Sequence, residues 1–109
     1  MSLPLQVTFR QMSASPFLRA RIEERAERLL RLYDRILGCR VVVEAPHRRH
    51  HKGKLYTIIV ELTLPGTCLT CHRNPGEHHA HEDVYVALHD AFDAAERRLR
   101  DYLNRKGAA

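Results

Sequence analysis

The fold of this chain is decided by residues 80–95, which read AHEDVYVALHDAFDAA. From this stretch onward, apolar residues recur at steps of three and four, at positions Val84, Leu88, Ala91, Ala95, Leu99 and Tyr102. Such spacing places them on one face of an α-helix. We therefore predict a closing amphipathic helix over about residues 82–104, whose apolar face must be covered by the rest of the chain.

The preceding residues predict four strands and one further helix. Apolar and polar residues alternate over residues 5–10, and β-branched or apolar runs follow at 40–46, 55–64 and 67–73. The first helix is predicted over about residues 16–37, with Ser15 as N-cap, Pro16 at the first helical position and Gly38 as the terminating glycine. The resulting order, β-α-β-β-β-α, predicts an α+β fold in which both helices pack on one face of a four-stranded sheet.

Length and composition indicate one basic globular domain over residues 1–109. The chain has 18 Lys and Arg against 13 Asp and Glu, and 15 of the 18 are arginine. Guanidinium groups present a planar fork of donors that suits phosphate, so a polyanion is the first partner to consider. No apolar run approaches the ~20 residues of a membrane span, and no charged-then-apolar leader opens the chain. A cytoplasmic protein without a membrane partner is expected.

The first predicted helix separates its charges. One flank carries Arg21, Arg25 and Arg28, named here the arginine flank, and Arg31 continues toward the solvent side. Acidic residues lie mainly on the other side of the helix. A one-sign surface of this kind can follow a phosphate backbone. The alternative is a solvated helix held by i,i+4 ion pairs, such as Glu24–Arg28 and Glu27–Arg31.

Two further basic segments are candidate RNA contacts. The loop over residues 47–54 carries Arg48, Arg49, Lys52 and Lys54, although a solvated hairpin tip without a partner would have the same composition. The last helix is acidic at its start and basic at its end, where Arg97 and Arg100 lie. That order also complements the helix dipole, which is a sufficient structural explanation.

The cysteines and histidines suggest a haem attachment site, a disulfide or a zinc site, but the sequence supports none of the three well. Residues 68–72, CLTCH, match the haem-attachment pattern, but haem attachment requires export. Cys68 and Cys71 are too far apart along a strand for a disulfide. A zinc site would draw on Cys68, Cys71, His72 and His78, but only one C-x-x-C is present. We expect no metal, no cofactor, no small-molecule substrate and no enzymatic activity. A protein-interaction module, or a metal or redox sensor using these residues, is the alternative function.

Five segments in order carry a resemblance to a known family. They are LQVTFR at 5–10, ARIEER at 20–25, CRVVVE at 39–44, PHRRHHKG at 46–53, and the run from His81 to Ala95. The chain resembles the ribosome hibernation promoting factor family, also called ribosome-associated inhibitor A or sigma-54 modulation protein. The match covers nearly the whole chain, and its last two segments are the most specific.

The resemblance implies a fold and a function. It implies a β-α-β-β-β-α fold similar to double-stranded-RNA-binding domains. It also implies a translation inhibitor that binds 16S ribosomal RNA in the mRNA and tRNA channel of the small subunit, within the 70S ribosome, under stress. Basic side chains of both helices and of the loop would contact the RNA. Long members add a C-terminal dimerisation domain, which we expect this chain to lack. Cys68, Cys71 and His72 depart from the family pattern.

Overall fold

A computed structural model describes residues 4–45, 56–73 and 83–107. The elements are β1 (Leu5–Arg10), α1 (Pro16–Leu32), β2 (Gly38–Glu44), β3 (Thr57–Leu64), β4 (Thr67–Arg73) and α2 (Val84–Gly107). This is the predicted α+β fold with the order β-α-β-β-β-α, which is confirmed.

The sheet is mixed, and its strands follow chain order. β1 pairs with β2 in parallel, while β2–β3 and β3–β4 are antiparallel. The parallel pair requires a crossover, which α1 supplies. Pro65 and Gly66 close the hairpin between β3 and β4, and Gly66 has a φ of +82°, a conformation that costs glycine little.

Both helices pack on one face of the sheet. Alternate strand residues turn toward that face, and the row that crosses all four strands contains Leu5, Cys39, Leu62 and Leu69. They belong to one apolar cluster with the buried residues of the helices, including Ile22 and Leu29 of α1 and Leu88, Phe92 and Leu99 of α2. Within the described residues, no helix covers the other face of the sheet.

The first helix begins where the sequence predicts and ends earlier. Ser15 caps it, with its hydroxyl oxygen accepting from the backbone N–H of Leu18 at 3.2 Å. The predicted end near Leu37 is wrong, because Tyr33 already has an extended backbone. The N–H of Leu37 donates instead to the carbonyl of Thr63 at 2.8 Å, which draws the chain into the sheet. Ile36 reaches the core from this connection, not from a helix.

The remaining boundaries differ by a few residues. β2 begins at Gly38, which therefore opens a strand and does not terminate a helix. α2 begins at Val84, after Asp83, whose carboxylate accepts from the N–H of Tyr85 at 2.9 Å, and it continues to Gly107. Neither this helix nor any other described one is long and apolar enough to cross a bilayer.

Candidate nucleic-acid interface

The two helices run in the same direction, side by side. Arg25 of α1 contacts His89 and Asp93 of α2, and Arg28 contacts Glu96. Because the residue numbers rise together on both helices, their N-terminal ends lie at the same end of the molecule. We call the line of contacts formed by Arg25, Arg28, His89, Asp93, Glu96 and Arg100 the interhelical seam.

Arg25 lies within this seam and not on an exposed surface. Its side chain is 9% exposed. One guanidinium nitrogen lies 2.7 Å from Nδ1 of His89, and another donates to Oδ1 of Asp93 at 2.7 Å. The guanidinium carbon also lies 5.6 Å from the centre of the Phe92 ring, a cation–π distance. Although Arg25 belongs to the predicted arginine flank, its guanidinium group hydrogen-bonds to residues of α2.

Arg28 and Arg100 are exposed and share one carboxylate. Arg28 lies 3.6 Å from Glu96, and Arg100 lies 3.1 Å from it. The side chain of Glu96 is only 17% exposed, whereas both arginines are more than half exposed. One negative charge therefore serves two positive charges, so this cluster keeps a positive surplus at the surface of the seam.

Arg21, Arg31 and Arg97 are exposed and form no ion pair within residues 4–45, 56–73 and 83–107. Arg21 precedes Arg25 by one turn on the arginine flank. At 100° per residue, Arg31 and Arg97 lie opposite the buried faces of their helices, on the surface that points away from the sheet. These outer arginines leave the helical layer with guanidinium groups that no described carboxylate neutralises.

The other flank of α1 is charged but compensated. Arg19 pairs with Glu23 at 3.3 Å, an i,i+4 pair. The pairs Glu24–Arg28 and Glu27–Arg31, which the sequence allowed, do not occur: Arg28 turns to Glu96, and Arg31 has no ion pair among the described residues. Which arginines of α1 remain unpaired therefore depends on their contacts with α2 and not only on the spacing of residues within α1.

The open face of the sheet offers a weaker basic surface. Arg40 lies 3.9 Å from Glu61, beside a depression of about 390 Å³ whose floor includes Gly38. At the outer edge of β4, Arg98 donates to the backbone carbonyl of Thr70. Arg40 and Arg98 thus already have acceptors from this chain, whereas Arg10 at the end of β1 is exposed and has no ion pair among the described residues.

The predicted loop contacts Arg48, Arg49, Lys52 and Lys54 lie outside the described residues. So does His78, one of the four residues of the alternative zinc site. Within the described part of the chain, no three His, Cys, Asp or Glu residues converge as metal ligands would. Cys68 is exposed, whereas Cys71 is buried among the core residues, so the two thiols belong to opposite faces of β4.

Cys39 belongs to the core rather than to a site. Desolvation by burial raises the pKa of its thiol from 9.0 to about 12. A thiol with that pKa stays protonated near neutral pH and is therefore a poor nucleophile and a poor metal ligand.

Sequence reasoning missed the residues of α2 that face α1. His89, Asp93 and Glu96 lie at steps of four and three, which places them on one flank of the helix. This spacing was a usable signal, but it gave no indication of which arginine each residue would meet. The exposed aromatic ring of Phe17 was also missed.

The comparisons with known proteins agree with this architecture. The sequence profile of the sigma 54 modulation protein / S30EA ribosomal protein family matches residues 5–106. The chain belongs to this family.

A curated relative agrees with this family assignment. It is 31% identical over 100 residues to a ribosome hibernation promotion factor from Deinococcus radiodurans, a match that covers 92% of this chain and 49% of that protein. The chain thus spans about half the length of this curated relative.

Solved structures share the fold at lower identity. A ribosomal subunit interface protein from Coxiella burnetii superposes with a TM-score of 0.73 at 18% identity, over 92% of this chain and 97% of that one. The N-terminal domain of Protein Y from Thermus thermophilus gives a TM-score of 0.65, also at 18% identity, over 94% and 99% of the two chains. At this identity the two structures establish the fold alone.

Proposed function

We propose that this protein is a ribosome hibernation factor, which binds 16S ribosomal RNA in the mRNA and tRNA channel of the small subunit and thereby inhibits translation under stress. Family membership supports the ribosome as the partner, because a relative is a ribosome hibernation promotion factor. The observation that carries the RNA contact is that Arg21, Arg31 and Arg97 are exposed on the helical layer and pair with no described carboxylate, as does Arg105 near the end of α2.

The scaffold suits this task because it holds the arginines in fixed positions. Both helices are anchored on the sheet by buried residues, and Arg25 ties them to each other. The backbone positions that carry the arginines keep their spacing when they meet a folded RNA, so no further backbone ordering is needed on binding. Arg28 and Arg100 extend the proposed contact along the interhelical seam. Arg48, Arg49, Lys52 and Lys54 of the loop remain proposed contacts from the sequence.

A triple substitution tests the proposed interface. Replacing Arg21, Arg31 and Arg97 with alanine should weaken binding to purified small subunits strongly, because each arginine that neutralises a phosphate releases counterions on binding. The plot of log K against log salt should flatten by about 0.7 to 0.9 for each phosphate that the variant no longer neutralises. Binding at a series of salt concentrations, measured by co-sedimentation, gives both quantities.

A matched control separates this interface from general charge. Replacing Arg10, Arg19 and Arg40 with alanine also removes three positive charges, but from the open face of the sheet and the compensated flank of α1. We expect that variant to bind nearly as the wild type does. An equal weakening in both triple variants would contradict the helical layer as the interface, and unchanged binding of the first variant would do so as well.

A further inference from the structure

Of the four large hydrophobic residues with high exposure in the described part of the chain, three lie at one end of the helical layer. Phe17 is 80% exposed, Tyr85 is 38% exposed and Val86 is 40% exposed. All three belong to the first turns of their helices, and these turns lie at the same end because the helices run in the same direction. Single exposed hydrophobic residues are common on protein surfaces, but a cluster of them marks an interaction site.

The interhelical register places the two aromatic residues level with each other. Asp93 is 68 residues beyond Arg25, its partner. Glu96 is likewise 68 residues beyond Arg28 (96 − 28 = 68). Arg25 also contacts His89, 64 residues beyond it, so each residue of α1 lies near residues of α2 that are about 64 to 68 positions further on. Tyr85, 68 residues beyond Phe17, therefore lies in the turn of α2 that is level with Phe17. Both residues also lie on the flanks that the helices turn toward each other.

Arginine continues directly from this aromatic end. Arg21 follows Phe17 by four residues, about 6 Å along the axis, and Arg28 follows on the same stripe. Arg21 is exposed and has no ion pair among the described residues. A flat apolar ring next to an unpaired guanidinium complements a nucleotide, in which a flat base adjoins a phosphate. An apolar protein surface would leave Arg21 without a counter-charge.

We propose that Phe17 stacks on an unpaired base of ribosomal RNA, with Arg21 on the adjoining phosphate and Tyr85 bordering the same position. This inference rests on the proposed function and adds a base contact to it. Phosphate contacts fix position, whereas base contacts require an unstacked nucleotide at a particular place. The aromatic end would therefore select a single-stranded or bulged site on the ribosome.

Phe17→Ala is the first test, in the full chain with small subunits as the probe. Removal of one base stack should weaken binding roughly 5- to 100-fold. The salt slope should stay that of the wild type, because a stack releases no counterions, whereas Arg21→Ala should flatten the slope by about one unit. Leu37→Ala is the matched control, since Leu37 is 57% exposed at the other end of the molecule and should bind as the wild type does.

Two further substitutions separate RNA from protein as the occupant. Phe17→Leu keeps an apolar side chain but removes the aromatic face, so it should bind about as weakly as Phe17→Ala. Phe17→Trp introduces the only tryptophan of the chain, which otherwise has none. Its fluorescence should be quenched when small subunits are added, as expected for indole stacked on a base. Wild-type affinity in Phe17→Leu, or no quenching in Phe17→Trp, would overturn the stack and favour an apolar protein contact.

The outcomes also distinguish this inference from the function on which it rests. If the wild-type chain does not bind small subunits, both proposals are wrong. If it binds and the triple arginine variant binds weakly, while Phe17→Ala is indistinguishable from wild type, only the stacking proposal is wrong. Thermal melting should show equal stability for all Phe17 variants, because the ring is not part of the core.

Discussion

Arg21 and Arg25 lie one turn apart on the same flank of α1, yet they occupy different environments. Arg21 is exposed and pairs with no described carboxylate, whereas Arg25 is buried between Asp93, His89 and the ring of Phe92. The spacing along α1 does not distinguish them. The position of α2 does, because it covers the flank at Arg25 and leaves it open at Arg21. The neighbouring helix thus divides a run of arginines on α1 between a structural role and the proposed binding surface.

Stability should separate the two arginines first. Arg25→Ala should lower the free energy of unfolding by about 2–3 kcal/mol, since it removes a charge-assisted hydrogen bond and side-chain packing between the helices. Arg21→Ala should change it by no more than about 0.5 kcal/mol. Urea denaturation of both variants measures the difference.

A double-mutant cycle locates the source of the effect. Asp93→Asn should be destabilising in the wild type and nearly neutral in Arg25→Ala, because the partner charge is then absent. If the two substitutions were additive, the contact between Arg25 and Asp93 would not be what stabilises the seam. If Arg21→Ala and Arg25→Ala were equally stable, Arg25 would not have the structural role that distinguishes it from Arg21.

The cysteines show the same contrast, because one of them is buried and another is exposed. Burial raises the pKa of the Cys39 thiol to about 12, whereas Cys68 is exposed. Above pH 9 the unfolded chain loses the Cys39 proton and the folded chain retains it. The free energy of unfolding should therefore fall with rising pH between about 9 and 12, by at most about 1.4 kcal/mol per pH unit.

Substitution isolates this thiol from the other groups that titrate at alkaline pH. The difference in stability between wild type and Cys39→Ala should shift in favour of the variant by about 2 kcal/mol between pH 8 and 10.5. A constant difference for Cys39→Ala would show that its thiol ionises as readily in the fold as outside it.

At Glu96 we expect a small loss of stability together with a gain in binding. Glu96→Gln should cost about 1 kcal/mol or less in stability, because its two arginine partners are more than half exposed. Affinity for small subunits should rise, as Arg28 and Arg100 become available to phosphate, and the salt slope should steepen. Lower affinity would mean that the carboxylate orients these arginines for binding and does not compete with it.

Much of the fold could be predicted because local signals agreed with it. Ser15 and Pro16 mark the start of α1, Pro65 and Gly66 mark a hairpin, and alternating or β-branched residues mark the strands. The end of α1 could not be predicted from spacing. Ile36 continues the helical period, but it reaches the core from a connection, because the sheet takes the N–H of Leu37.

The candidate interface was predictable in outline and not in detail. Arginine content and charge separation indicated a surface for a polyanion. The pairing of Arg25 and Arg28 depends on partners 64 to 68 residues away in sequence, namely His89 and Asp93 for Arg25 and Glu96 for Arg28. Periodicity within one helix carries no information about such partners. The exposure of Phe17 was equally hidden, because an aromatic residue in a predicted helix suggests a core position.

The common direction of α1 and α2 has a consequence for how the protein meets a charged surface at a distance. Two antiparallel helices would largely cancel each other's peptide dipoles, whereas these two add, with about half a positive charge at each N-terminal end. At α2 the carboxylate of Asp83 offsets this partial charge, whereas α1 has no acidic residue in its first turn. The N-terminal end of α1, which carries Phe17, therefore keeps a local attraction for phosphate that salt screens.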